Sequence, residues 1–318
     1  MALKWFLRIF KLNIVIRILI IRIKLLFLHK FSLIYIFIMR EELQKKVDRA
    51  IKLIQSASKI ASANGCPEIE VAYSGGKDSD VILELVKMSG VPYRAIYKST
   101  SIDPSGTIKH AKEIGAEVKR PQKTFFQLIE KYGLPSNIRR FCCGQLKEYK
   151  VLDYAVIGIR RSESRKRAER YKEPEQCRVY GKDEKVRQYF PILDWSDADV
   201  REFILERRIA CAPVYYDADG SFHVERRLGC LCCPMLDKKR IAQFVEHPNM
   251  IKAYAMALRK FRLTHPDSKA VSMYADEYEQ LVRDIFYWRK SQQEWDYMNH
   301  NSLLPPLTIR SSWRTISR

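Results

Sequence analysis

The sequence predicts an α/β protein with a doubly wound, mostly parallel sheet and a helical C-terminal region. Short apolar runs alternate with segments of helical periodicity from residue 40 to residue 207. Parallel strands need crossover helices, so this alternation is typical of a sheet that is covered on both faces. Hydrophobic residues make up 47% of the 318-residue chain, which is enough for a sizeable buried core.

The elements follow in order along the chain. The apolar runs predict strands at Ile69–Tyr73, Tyr93–Tyr97 and Tyr154–Ile159. The periodic segments predict helices at 40–63, Asp78–Ser89, Ser105–Ile114, Phe125–Tyr132 and Asp197–Arg207, the last capped by Asp194 or Ser196. The strongly charged segment Ser162–Lys185 is expected to be a surface loop or only partly ordered. Beyond Pro234 we expect helices with breaks near Pro248 and Pro266.

The first 38 residues differ from the rest in composition. They are rich in isoleucine, leucine and phenylalanine but carry seven basic residues, so no uncharged window reaches the roughly 20 residues of a membrane span. A small-residue cleavage site is also missing. Three interpretations remain: a basic membrane-surface helix, a poor transmembrane anchor, or an upstream extension before a true start at Met39. The abrupt change at Met39 favours the third, and membrane contact is expected only if the segment is expressed.

Charge and cysteine usage narrow the class of partner. The formal net charge is +20, and subtracting the seven basic residues of the first segment leaves +13 for the body. Such a body favours polyanionic partners, including nucleotides and nucleic acid. Five of the eight cysteines fall in two tight clusters, which in a long chain indicates metal binding in a reducing cytosol rather than disulfides. We therefore expect a cytoplasmic protein.

A polar turn joins the first predicted strand to the following helix. Two glycines allow a sharp turn that a ligand can approach closely, and the helix aims free N–H groups and its positive dipole end at that ligand. Two hydroxyls and a lysine add further donors. The turn predicts a phosphate site, although it is not a Walker A loop. Its residues are Ser74, Gly75, Gly76, Lys77, Asp78 and Ser79.

This hexapeptide, SGGKDS, resembles the pyrophosphate-binding loop of the adenine nucleotide alpha hydrolases, whose members cleave ATP between the α and β phosphates. The resemblance implies a Rossmann-like fold with ATP as ligand. It also implies that the loop grips the β and γ phosphates, that Asp78 helps to place Mg²⁺, and that the α phosphate is left open to attack.

Two cysteine pairs lie far apart in the sequence. Cys142 and Cys143 are adjacent, whereas Cys230 and Cys233 have C-x-x-C spacing. Four thiolates are the ligands of tetrahedral zinc or of an iron–sulfur cluster, and the neighbouring basic residues favour thiolates. Buried or incidental thiols are the alternative. The lone cysteines are expected to be structural or incidental: Cys66, Cys177 and Cys211.

The first pair belongs to an Arg-x-Cys-Cys-x-x-x-Lys pattern with Arg140 and Lys147, and the second to Gly-Cys-x-x-Cys. Together they are similar to the 4Fe-4S signature of adenylylsulfate reductases in the phosphoadenosine phosphosulfate (PAPS) reductase family. The resemblance implies that these four cysteines are the cluster ligands and that Lys147 lies near both the cluster and the substrate phosphates. Zinc is the alternative metal.

An arginine-rich segment follows the strand predicted at Tyr154–Ile159. Guanidinium groups at the carboxyl end of a strand suit an anion site, whereas a solvated basic loop is the alternative. The segment resembles the family's G-x-R-x-x-E-S element, and Pro-x-x-Asp-Trp-Ser downstream is a further match. Arg160 and Arg165 are predicted to hold the α phosphate or an acceptor oxyanion. The binding residues expected here are Gly158, Arg160, Arg161, Glu163 and Ser164.

The resemblance covers about residues 65–236 and breaks at one important point. Reductases of this family use a cysteine near the C-terminus to attack sulfur, but the last cysteine here is Cys233. The intact SGGKDS turn also implies a triphosphate ligand. We therefore predict an ATP-binding enzyme that adenylylates an acceptor and releases pyrophosphate, in sulfur metabolism or sulfur transfer, including nucleic-acid thiolation. Its predicted catalytic residues are Lys77, Asp78, Arg160 and Arg165.

Two alternatives remain. One is a sulfonucleotide reductase that acts on PAPS or adenylylsulfate with an external thiol. The other is a non-catalytic nucleotide-binding or nucleic-acid-binding module. The expected partners are an adenine nucleotide, a sulfur donor protein or thioredoxin, and tRNA or DNA. We divide the chain into an extension (1–38), a PAPS reductase-like nucleotide-binding domain with the cluster cysteines (39–236) and a helical region (237–318).

Overall fold

The computed structural model describes residues 40–135, 139–181, 184–235 and 243–267. The predictions for residues 1–38 and for the chain beyond residue 267 lie outside these ranges. Within them, no helix is both long enough and apolar enough to cross a membrane.

A six-stranded sheet carries the fold. Its strands are β1 Ile69–Tyr73, β2 Tyr93–Lys98, β3 Glu117–Lys119, β4 Tyr154–Val156, β5 Glu175–Tyr180 and β6 Glu184–Tyr189. The helices are α1 40–63, α2 Lys77–Ser89, α3 Thr107–Glu113, α4 Phe125–Tyr132, α5 Phe141–Leu146, α6 Arg165–Arg170, α7 Asp197–Arg207, α8 Gln243–Glu246 and α9 Pro248–Thr264. The predicted mostly parallel α/β fold is confirmed, and α7 has the predicted bounds.

In the strand order β3-β2-β1-β4-β6-β5, the direction in which the chain adds strands reverses between β3 and β4. From β1 the chain builds outward through β2 to β3, and then returns to place β4 on the other side of β1. The carboxyl ends of parallel strands on either side of such a reversal diverge, and ligands bind in the crevice between them. The sheet therefore places a binding crevice beyond Tyr73 and Val156.

The sheet packs against the larger apolar core, whereas a second core contains no strand residue within the described ranges. The first core packs α1, α2 and α7 against side chains such as Val71 of β1. The second core joins α4, α5 and α9 and includes Cys142 and Cys232. Because residues alternate along β1, Glu70 and Ala72 face away from the first core. This opposite face of the strands lines a cavity.

The prediction of a surface loop at Ser162–Lys185 is wrong. This segment contains α6, β5 and the start of β6, and β5 pairs antiparallel with β6 at the sheet edge. The alternation of apolar and polar residues is weak in this sequence because only one face of the hairpin is buried. Val186 and Gln188 lie on the buried face, while charged side chains occupy the other. The sequence also did not predict β3, which has three residues.

Two predicted boundaries are also settled by local hydrogen bonds. Ser196 rather than Asp194 caps α7, because its hydroxyl accepts the Asp199 amide while the Asp199 carboxylate accepts the Ser196 amide. The strand predicted at Tyr154–Ile159 ends at Val156, where its pairing with β6 stops.

Candidate nucleotide and thiol site

The SGGKDS turn lies in the crevice at the end of β1. Gly75 has φ of 76°, a left-handed conformation that favours glycine. A Cβ atom at this position would lie 2.6 Å from the Thr107 methyl carbon. Gly76, the N-cap residue of α2, makes no side-chain cap hydrogen bond, and the Tyr215 hydroxyl interacts with the Lys77 amide at the start of the helix. The lack of a cap side chain at Gly76 suits an anion at this helix N-terminus.

The two serines of the turn are held by hydrogen bonds within it. Ser79 Oγ donates to the Gly76 carbonyl at 2.6 Å, and Ser74 Oγ lies 3.2 Å from Ser79 Oγ. Ser74 Oγ also accepts the Gly76 amide at 3.4 Å. The hydroxyls therefore define the shape of the turn, because each donates its single O–H to a group within it.

Lys77 is buried at the first position of α2, with 4% of its side chain exposed. Its Nζ lies 3.2 Å from Asp78 Oδ2 and 5.7 Å from the centre of the Tyr215 ring. The Tyr215 hydroxyl in turn accepts the Leu228 amide at 3.3 Å. An ammonium with so little water around it interacts strongly with any phosphate that enters the turn.

Arg160 occupies a different position from the one expected of a phosphate ligand. Only 1% of the residue is exposed, and its Nε lies 2.6 Å from Asp78 Oδ1 while Nη2 lies 2.7 Å from Asp197 Oδ1. Its remaining donor reaches Ser162 and the Trp195 carbonyl. The guanidinium therefore ties the first turn of α2 to the start of α7, and its predicted role towards the α phosphate stays a prediction.

The other residues of the arginine segment are spread over a wider surface. Arg165 is 92% exposed and pairs with Glu169, so the structure does not bring it to the turn. Arg161 donates to the Tyr171 carbonyl at 2.8 Å and pairs with Asp194. Glu163 pairs with Arg167 and accepts the Arg160 amide at 3.4 Å, while Ser164 caps α6.

Two further cations near this segment were missed by the sequence reasoning. Burial lowers the pKa of Arg167, and the positive charge of Arg227 adds to that effect. Arg227 donates to the Glu163 carbonyl at 2.6 Å. The local sequence does not distinguish Arg167 from Arg165. Which of the two turns inward depends on how the six-residue helix α6 is rotated about its axis. Arg227 is brought close only by the tertiary fold.

The loop after β4 carries a glycine, Gly158, where it packs closely against α2. A Cβ atom there would lie 2.8 Å from the Asp78 carbonyl oxygen. A larger residue would push this loop away from the first turn of α2. The predicted binding element at Gly158 thus lies directly against the SGGKDS turn.

A cavity of about 220 Å³ extends from the turn over the face of the strands that lies opposite the first core. Ser74, Thr107 and Leu228 line its end at the turn, and apolar side chains of β1, β2 and β4 form part of its floor. Farther along, the buried Glu70 carboxylate pairs with Lys98 at 3.0 Å. The predicted residue Lys147 also lines this cavity. The space can hold a ligand that is charged at one end and apolar in its middle.

The two predicted cysteine pairs are electrostatic neighbours. Hydrogen bonding with Cys142 lowers the pKa of Cys143 to about 6, with support from Arg140 and Lys147. The pKa of Cys142 is raised by the same hydrogen bond and by burial, and also by the charges of Cys143 and Cys233. Burial raises the pKa of Cys233 to about 11, to which Cys230 and Cys143 contribute. The fold therefore brings both pairs into one region.

Lys147 connects the cavity to these thiols. Desolvation opposes its positive charge although part of the side chain remains exposed, but attraction to Cys230 and Asp103 outweighs that effect and raises the pKa of the ammonium. Across the described ranges, no three His, Cys, Asp or Glu side chains stand ready to ligate a metal ion. The chemistry of the donor set, four neighbouring thiols beside cations, nevertheless fits zinc or an iron–sulfur cluster.

The fold and this site define a class: a nucleotide-binding α/β protein with the SGGKDS turn at the reversal of strand order. The phosphoadenosine phosphosulfate reductase domain model matches residues 68–236. The match spans more than half of the chain, which therefore belongs to the PAPS reductase family of enzymes.

Named relatives and a solved structure are also similar. Sulfate adenylyltransferase subunit 2 of Chromobacterium violaceum is 25% identical, over 72% of this chain and 84% of that protein. The same subunit of Shewanella oneidensis is 24% identical, over 70% of this chain and 82% of that protein. The crystal structure of a PAPS reductase from Candida auris aligns with a TM-score of 0.39 and 14% identity, over 58% of this chain and 93% of that one.

Proposed function

We propose that the chain binds ATP at the SGGKDS turn and transfers its adenylyl group to an oxyanion acceptor. An acceptor oxygen forms a bond to the α phosphorus while the bond to the bridging oxygen breaks, and pyrophosphate leaves with both electrons. The observation that carries the proposal is the glycine-rich start of α2 at the reversal of strand order, with buried Lys77 as the first residue of the helix and Ser74 of the same turn lining the cavity. The name of the relatives makes sulfate the acceptor to test first.

The residues of the turn would bind the leaving group. The α2 amides and Lys77 would stabilise the negative charge that develops on pyrophosphate, and Arg160 would position Asp78. Arg167 is a candidate for binding the acceptor, because an anion would relieve the repulsion between it and Arg227. Asp78 does not fit the expected Mg²⁺ ligand, since its two oxygens face Lys77 and Arg160.

The four clustered thiols support a second part of the proposal. Cys142, Cys143, Cys230 and Cys233 would hold a 4Fe-4S cluster, with zinc as the alternative. Such a centre, with four thiolate ligands, would carry a net negative charge that neighbouring cations such as Arg140 would offset, and it would either brace the fold or position sulfur next to the cavity. The chain itself contributes Lys147, which lines the cavity and is attracted to Cys230.

Partners and domain limits belong to the same proposal. The relatives are named as one subunit of an adenylyltransferase, which supports a partner subunit for this chain. A sulfur donor protein, thioredoxin, tRNA and DNA remain predictions from the sequence. The division of the chain at residues 38 and 236 and a cytoplasmic location also remain predictions.

The proposal is tested with the full chain, purified without oxygen, by mass detection of pyrophosphate formed from ATP and sulfate. Lys77→Met should lower the rate at least about 100-fold, because it removes a buried cation beside the leaving group. Lys87→Met, at the exposed end of the same helix, is the matched control and should stay within about twofold. Thermal unfolding checks that both variants fold.

Two results would contradict the proposal. Nucleotide binding without pyrophosphate release from any acceptor would indicate a non-catalytic module. Release of sulfite from PAPS or adenylylsulfate in the presence of thioredoxin would indicate a reductase instead.

A further inference from the structure

Thr107 is a buried threonine that the motifs do not single out. It is the first residue of α3, and only 1% of it is exposed. Its hydroxyl oxygen has no hydrogen-bond partner among the residues that the structure describes. A buried hydroxyl that makes no hydrogen bond is unfavourable, so an unpartnered one beside a cavity points to a ligand atom.

The hydroxyl belongs to a side chain that packs on the phosphate turn. A Cβ atom at Gly75 would lie 2.6 Å from the Thr107 methyl carbon, so the two residues are in contact. Thr107 and Ser74 both line the same end of the cavity. An anion bound at the start of α2 would therefore lie within reach of both side chains.

The position of Thr107 relative to α2 is fixed by a buried network. One turn farther along α3, His110 Nε2 lies 3.1 Å from Asp80 Oδ1, and Asp80 belongs to α2. The Tyr73 hydroxyl donates to the same carboxylate from the end of β1. These contacts join β1, α2 and α3 beneath the turn, so Thr107 is held in place before a ligand arrives.

We propose that the Thr107 hydroxyl donates a hydrogen bond to the β or γ phosphate of the bound nucleotide. The inference rests on the proposed ATP site and adds one binding residue to it. The competing explanation is that threonine is present only because its methyl group packs against Gly75. The two explanations differ, since valine keeps the methyl contact and removes the hydroxyl, whereas serine does the reverse.

Isothermal titration of the full chain with ATP and with AMP separates them. Thr107→Val should weaken ATP binding at least about tenfold, as expected for the loss of a hydrogen bond to a charged group, and leave AMP binding unchanged. Thr107→Ser should bind ATP like the unaltered chain. The melting temperature of Thr107→Val should not fall, because a buried unpaired hydroxyl is removed.

Four results would overturn the inference. If Thr107→Val binds ATP as tightly as the unaltered chain, this inference is refuted while the proposed function is not. Equal weakening by valine and serine, or equal weakening of ATP and AMP binding, would show that packing explains the residue. Failure of the unaltered chain to bind ATP would refute the proposed function and this inference together.

Discussion

At the scale of single residues, the contrast between Arg160 and Arg165 is the most informative. Both follow β4 and both were expected to hold an anion. Arg160 is enclosed by two carboxylates from different helices, whereas Arg165 extends into solvent beside Glu169. A buried guanidinium with fixed partners contributes to the geometry of the site, while an exposed pair on a short helix contributes little to stability.

Substitution of these two arginines should therefore give unequal losses of stability. Arg160→Met should lower the free energy of unfolding by about 3 kcal/mol, because Asp78 and Asp197 lose a buried partner. Arg165→Met should change it by less than about 0.5 kcal/mol. Urea denaturation measures both values. A large loss for Arg165→Met, or none for Arg160→Met, would contradict the described pairing.

At the scale of elements, α2 and α3 are joined by one buried ion pair between Asp80 and His110. The hydrogen bond from Asp80 raises the pKa of His110, although burial works against the charge on the imidazole. Burial also raises the pKa of Asp80, while His110 and Tyr73 oppose that shift. The contact between the two helices therefore includes a histidine whose protonation the fold favours.

The sign of the pH dependence follows from the raised pKa of His110. A proton binds His110 more tightly in the folded protein, so its contribution to stability is complete below the unfolded pKa of about 6.5. It is lost as the pH rises through the higher folded value. The free energy of unfolding should fall over this range, and His110→Gln should flatten the slope.

The titrating groups around His110 are Asp80, Tyr73 and Glu113. His247→Gln, which removes an exposed histidine at the start of α9, is the control and should keep the slope of the unaltered chain. An unchanged slope in His110→Gln would show that the pair does not control the stability of the α2–α3 contact.

The same scale shows how far the sequence predicts this structure. β1 was predicted closely from its apolar run, α2 from the glycine-rich turn before it and α7 from the residue that caps it. The edge hairpin of β5 and β6 was not, since charged residues on its open face hide the alternation. The turn was found because its residues are contiguous. Thr107, Arg167 and Arg227 were not, since their place beside it depends on tertiary contacts.

At the scale of the whole molecule, the thiol region joins distant parts of the chain. Cys142 and Cys143 lie on α5, and Cys230 and Cys233 lie on the segment that follows the 3₁₀ turn Pro213–Tyr215. The second core packs around Cys142 and Cys232. A metal held by both pairs would close a long loop, so its binding should stabilise the fold.

Removal of a cluster cysteine tests this role. Cys233→Ser should lose bound iron and sulfide, or zinc, and should melt at a lower temperature than the metal-loaded chain. Cys177→Ser, at an exposed position on β5, is the control and should keep both metal and stability. Metal analysis and calorimetry after purification without oxygen measure the two effects. Equal metal content in the two variants would rule out the four-cysteine site.

Leu228 connects the SGGKDS turn with the segment that carries Cys230. It lies against both glycines of the turn, and only Gly229 separates it from Cys230. A ligand that displaces the turn must therefore also move the backbone that carries a thiol, and the reverse holds as well. Thermodynamic linkage makes such an effect reciprocal: whatever factor metal occupancy applies to nucleotide affinity, nucleotide occupancy applies to metal affinity.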